Sequence, residues 1–288
     1  STSLLFQGLM YVLSCLPEWC TAVLPSALTY TLIGLFDIRY FKLRKTTNRI
    51  QCLVILLQFI SIDVYSTVSS WLYMLTFSIL ANILFTDLIL KKRQLVCMAA
   101  YLVLGQLHTV AYIIFTFRIL AILLPQKIKK ASLLVVFLWH FLTDTIVNVA
   151  SGFSGNPFGK RIYENIVSYS EYAENSNAIY MLGLALFAMV CIICIEKNEL
   201  RRANSPKEMD YIIQCCCAFI LGAWGSQNLM FRFAHFAMIC MPVHIGEEMS
   251  YMGDRLSIRN ISLPLFAELI SVVLLLTFYI WISYRLLI

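Results

Sequence analysis

Apolar runs of membrane-crossing length recur along the whole chain, and short loops rich in Lys and Arg separate them. A hydrocarbon core about 30 Å thick needs about 20 apolar residues in a helix. Lipid offers no partner to backbone polar groups, so a chain with this pattern folds as helices. Hydrophobic residues make up 60% of the 288 residues and charged residues 13%, against about 45–50% and about 25% in soluble domains. The excess runs from end to end, which excludes a soluble domain on a single anchor. The expectation is an all-α, polytopic integral membrane protein with about 10 transmembrane helices. Residues 1–288 would form a single transmembrane domain in the cell membrane.

The runs lie at 4–16, 19–36, 50–66, 69–90, 95–107, 110–124, 132–150, 179–195, 211–225, 228–245 and 261–284. The first is short for a full span. Loops at 37–49, 91–93, 127–130, 196–210 and 246–260 hold 17 of the 22 Lys and Arg. Positive loops stay in the cytoplasm, so these five face inward. The long loop 151–178, rich in Gly, Asn, Tyr and Glu, is then extracytoplasmic. Most of the ten cysteines sit inside apolar runs, where they are expected to pack as small hydrophobes.

Polar residues inside the runs are few. The run 228–245 contains Asn228, Arg232 and His235 at i, i+4 and i+7, one helical face. An Arg in a bilayer costs at least about 2.5–3.5 kcal/mol, so it is paired, hydrated or functional. His140, Asp144 and Asn148, at i, i+4 and i+8, likewise share one helical face in 132–150. With the inferred orientation, Arg232, His235 and Asp144 fall in the outer halves of their spans. His108 stands at an outer turn, and Arg161, Tyr163 and Tyr169 in the outer loop. An outer cavity would solvate these groups together. Arg offers forked donors suited to phosphate, and His and Asp suit proton transfer. Two uses stay open for Arg232: an anion site, or a packing pair with Asp144 or Glu268. Arg118 lies mid-span, and His244 near an inner end reads as interfacial. No phosphate-binding Gly loop, G-x-S-x-G or H-E-x-x-H is present. The basic clusters follow topology, so no nucleic-acid partner is expected, nor is a metal or other cofactor.

The segment order resembles the EpsG family of membrane proteins, related in role to the Wzy polymerases of bacterial polysaccharides. The likeness rests on a span ending Lys91-Lys92-Arg93, a second reaching Gly105-Gln106-Leu107-His108-Thr109, and an immediate return to a basic turn. Further matches are Lys160-Arg161-Ile162-Tyr163 and Tyr169–Tyr172 in the outer loop, and 229–245 followed by a short loop and a last span. Where such proteins often carry an Arg-Gln pair, this chain reads Ser69-Ser70-Trp71. The resemblance implies a glycosyltransferase-type polymerase that joins undecaprenyl-diphosphate-linked oligosaccharide units at the outer face. It assigns Arg232 and Arg161 to the diphosphate. Asp144, His140 or His235 would be the base, with His108, Tyr163 and Tyr169 on the sugars. Partners would be the lipid-linked oligosaccharide, membrane lipids and other polysaccharide-assembly proteins. The alternative is a transporter or flippase for an anionic lipid-linked glycan.

Overall fold

The computed structural model describes residues 4–62, 67, 70–139, 152, 178–201, 207–224, 227–252 and 262–287. Among them it is all-helical, with helices α1 (Leu4–Ser14), α2 (Glu18–Arg44), α3 (Asn48–Ser61), α4 (Trp71–Leu84), α5 (Gln94–Leu107), α6 (Val110–Leu123), α7 (Gln126–Phe137), α8 (Ala178–Arg201), α9 (Lys207–Gly222), α10 (Gln227–Ile239), α11 (Glu247–Met252) and α12 (Leu263–Leu287). Two π-helical turns, Phe85–Ile89 and Pro242–Gly246, extend α4 and link α10 to α11.

Helix ends follow local chemistry. α2 carries Lys42 and Arg44 in its last turn, where cations complement the helix dipole. It closes on Lys45, left-handed at φ 52°, whose N–H donates to the Phe41 carbonyl. α5 and α6 are joined by two residues. The His108 N–H donates to the Leu104 carbonyl, and the Ala111 N–H returns to the His108 carbonyl. Gly105 lets the Tyr112 ring lie against α5, since a Cβ there would force the ring aside. Gly222 likewise lets α9 approach the backbone carbonyl of Phe137 at the end of α7.

Among the described residues two helices, Trp71–Ile89 and Ala178–Glu199, are long and apolar enough to cross a membrane, and a third span arises if the bent pair Gln227–Ile239 and Pro242–Met252 counts as one. Other apolar runs give shorter helices: Asn48–Ser61, Gln94–Leu107 and Val110–Leu123 are apolar but have only 14 residues each, and most of the run 132–150 lies outside the described residues. At 1.5 Å per residue such a helix is about 21 Å long, short of a core about 30 Å thick.

α12 shows how both sides of a helix can be apolar. Phe266, Leu269, Val273, Leu276 and Ile280 point outward, exposed, while Leu265, Glu268, Val272, Leu275 and Phe278 are buried. A helix apolar on both faces suits lipid on one side and protein on the other. The inward face packs antiparallel on α8, with Tyr180 stacked on Phe278 at 3.9 Å between ring centroids and Gly183 against Leu274 and Leu275.

The contacts also sort the loops. Arg44 pairs with Glu247 at 2.9 Å and Lys197 with Glu248 at 3.8 Å. Lys129, Glu196, Glu199 and Tyr211 line one small cleft. The segments 44–48, 124–130, 196–201 and 246–252 therefore gather at one end of the bundle, the basic end. The α5–α6 turn, the start of α4 and the start of α10 meet at the other end.

The run 228–245 is not one helix. It breaks between Ile239 and Pro242 with a bend of 45°. Pro242 has no N–H, so the Met238 carbonyl four residues earlier loses its helical donor. Side chains replace it. Gln58 Nε2 donates to the Met238 and Ile239 carbonyls at 3.3 and 3.2 Å. The His244 Nε2 donates to the Ala237 carbonyl at 2.9 Å, and Asn198 Nδ2 donates to the His244 carbonyl at 3.1 Å. Broken backbone at membrane depth is tolerated where protein groups satisfy it in this way. His244 is thus fully buried and structural, not interfacial.

Arg118 also has a structural role. Its Nε and Nη2 donate to the two carboxylate oxygens of Asp87 at 2.9 and 3.2 Å, and Tyr101 donates to the same carboxylate at 3.1 Å. This buried fork ties the π turn after α4 to α5 and α6. Cys97, Cys191, Cys194, Cys215, Cys216, Cys217 and Cys240 are buried free thiols, as expected of small hydrophobes, whereas Cys52 is exposed.

Candidate functional site

Exposure falls along the polar face of α10. Asn228 is exposed, Arg232 half-buried and His235 fully buried, so the stripe descends from the end of the bundle into its interior. Tyr73, in the first turn of α4, meets this stripe. The Arg232 guanidinium lies 5.7 Å from the centroid of the Tyr73 ring, within cation–π range. The Tyr73 hydroxyl is 3.3 Å from Nδ1 of His235. With Tyr73 donating, His235 is neutral and holds its proton on Nε2. Phe231 covers the His235 ring edge-on at 4.0 Å.

His108 comes from a third part of the chain. Its ring centroid is 6.3 Å from that of Tyr73. The Val110 N–H donates to its Nδ1 at 3.3 Å, which leaves the ring proton on Nε2 in the neutral form. In this turn between two helices, burial first and the Arg232 charge second push the His108 pKa down to about 4. His108 is therefore a neutral imidazole near pH 7, close enough to Arg232 to feel its field.

Arg232, His235 and His108, singled out in the sequence, are thus brought together on Tyr73, which sequence reasoning missed. Tyr73 is one of 15 tyrosines and carries no local signal. Asp144, His140, Arg161, Tyr163, Tyr169 and the loop residues 153–177 lie outside the described residues. Glu268 does not join the group. Antiparallel packing of α12 on α8 sets it beside Cys191, and neither of its carboxylate oxygens has a hydrogen-bond partner among the described residues.

Chemically the cluster offers a cation, the neutral imidazole of His108, the His235 ring and a phenol where the polar stripe enters the bundle. Forked guanidinium donors recognise phosphate oxygens, and an imidazole can accept or pass a proton, a part that falls to His235 rather than to His108 with its depressed pKa. Comparison with protein families, curated proteins and solved structures finds no match to this chain.

Proposed function

We propose that this protein is a multi-pass membrane polymerase that joins undecaprenyl-diphosphate-linked oligosaccharide units at the face opposite its basic loops. The observation that supports the reading is the convergence of Arg232, His108, His235 and Tyr73, from three separate parts of the chain, at that end. The shorter apolar helices complete a set of about ten crossings where the bilayer thins around them. The acceptor hydroxyl oxygen attacks the anomeric carbon of the donor sugar. The bond from that carbon to the diphosphate breaks, the electron pair leaves with the lipid diphosphate, and the hydroxyl proton passes to a base. Arg232, with Arg161, stabilises the departing diphosphate. His235 takes the proton through the Tyr73 hydroxyl, or Asp144 or His140 takes it directly. His108 orients the acceptor from its Nε2–H, and Tyr163 and Tyr169 stack on sugar rings.

Purified protein in nanodiscs, given lipid-linked repeat units, should lengthen them. Losing a donor aimed at developing charge costs about 10²–10³ in rate, so Arg232→Ala should fall by that factor with the fold intact. Normal elongation by the Arg232→Ala variant would remove the site assignment. A second reading, a transporter or flippase for the same anion, draws on the 45° break in the helix that carries Arg232. It predicts movement of a labelled lipid diphosphate across the bilayer with no new glycosidic bond.

A further inference from the structure

The helix break holds a second cluster that the glycan chemistry does not use. Asp37 on α2 is 2% exposed, and among the described residues it meets no Lys or Arg within ion-pair distance. Its one hydrogen-bond partner there is Gln58, whose Nε2 lies 3.3 Å from Asp37 Oδ1. The same nitrogen lies 3.3 Å from the Met238 carbonyl and 3.2 Å from the Ile239 carbonyl. Three oxygens therefore surround one NH₂ group, which has two hydrogens. One acceptor is always left over, and all three contacts are long for hydrogen bonds, whose usual N···O distance is about 2.9–3.0 Å.

Two further features draw positive charge to this spot. Pro242 removes the helical donor of the Met238 carbonyl, and the Val243 N–H turns to the Cys240 carbonyl instead of that of Ile239, all at the C-terminal end of α10, where the helix dipole is negative. Among the described residues the carboxylate is buried without a counter-cation, an arrangement that costs several kcal/mol unless a proton or another cation meets it. Amide oxygen and nitrogen exchange places by a half-turn of the Gln58 side chain. In the present rotamer the nitrogen holds the three oxygens together. In the other, Gln58 Oε1 would complete a four-oxygen cup.

We propose that this break is a binding site for a small monovalent cation of sodium size, formed by the Asp37 carboxylate, the Met238 and Ile239 carbonyls and the rotated Gln58 Oε1. Hard oxygen ligands and a single negative charge suit a monovalent ion. Unwound carbonyls at half-helix ends take such ions in membrane proteins of several folds. Because the cup joins α2 and α3 to the end of α10 at the break, an ion there would hold the end of α10 where the 45° bend begins.

The test is thermal unfolding of the purified full chain in detergent, titrated with NaCl against choline chloride at constant ionic strength and fixed pH. The expected result is a saturable rise in Tm with Na⁺, a weaker one with K⁺, and none in Asp37→Asn. Gln58→Ala keeps the carboxylate and should raise the half-saturating Na⁺ concentration at least tenfold, which covers the case of an Asp37 variant that does not fold. Glu268→Gln removes the other buried carboxylate and should leave the Na⁺ response unchanged. Equal responses to Na⁺ and choline in the wild type would overturn the proposal. So would a Na⁺ response that survives both Asp37→Asn and Gln58→Ala, or one that disappears in Glu268→Gln. A stability that follows pH but not Na⁺ would mean a proton site and would equally overturn it.

Discussion

Arg118→Met is the perturbation whose cost can be worked out most directly. Asp87 is 1% exposed and Arg118 9%, and they share two hydrogen bonds at 2.9 and 3.2 Å. Removing the guanidinium leaves Asp87 with the Tyr101 hydroxyl as its hydrogen-bond donor among the described residues. Breaking a buried pair from one side costs about 3–5 kcal/mol, because a buried charge is left uncompensated. Asp87→Leu should cost a similar amount by stranding Arg118. The double variant removes both charges, and replacing a buried pair by apolar groups of similar volume is neutral or stabilising. A cycle measured by reversible unfolding in mixed micelles should therefore give a coupling energy of at least about 2 kcal/mol, with the double variant more stable than either single. Two single variants that each lose less than about 1 kcal/mol, the range of a solvent-exposed pair, would refute the burial argument.

Three further outcomes follow from particular contacts. Gly222→Ala places a methyl against the Phe137 carbonyl and should destabilise the α7–α9 contact by about 1–3 kcal/mol, read by the same unfolding assay. Tyr73→Phe keeps the ring under Arg232 but removes the hydroxyl from His235, so it should cost about 1 kcal/mol of stability and lower elongation more than it weakens donor binding. His108 has a folded pKa near 4 against an ordinary value of 6.5. The unfolded chain therefore takes up the proton first, and the stability this residue contributes is full above pH 6.5 and lost as pH falls toward 4. The wild type should lose more stability than His108→Gln across that window, and parallel curves would contradict the assignment.

Much of the helical layout is legible in the sequence where apolar runs end in polar or glycine-bearing turns. The expected boundaries 95–107 and 110–124 lie within a residue of α5 and α6 at each end, because Gln106, His108 and Thr109 interrupt the run where the chain must reverse. The break after Ile239 was not read, although Pro242 is visible. The residues around Pro242 are as apolar as those before it, and the donors that tolerate the break sit far away, at Gln58 and Asn198. Span number is less legible for a related reason: hydropathy counts apolar residues, whereas crossing depends on helix length, and α3, α5 and α6 stop at 14 residues. Within the site, helical spacing places Arg232 and His235 on one face. Their meeting with His108 and Tyr73 depends on how α4, α5 and α10 pack, which one sequence does not encode in any local pattern. The same holds for Arg118, whose partner Asp87 is 31 residues away on another helix.

The central claim is that Arg232 and its neighbours receive a lipid-linked diphosphate at the end of the bundle opposite the basic loops. A structure of the protein in nanodiscs with a lipid-linked oligosaccharide diphosphate bound tests it directly. The account predicts the diphosphate within hydrogen-bonding distance of the Arg232 guanidinium, beside His108 and Tyr73, with the lipid chain leaving between helices. A diphosphate seated at the basic end, or well-ordered lipid density with Arg232 untouched, would contradict it.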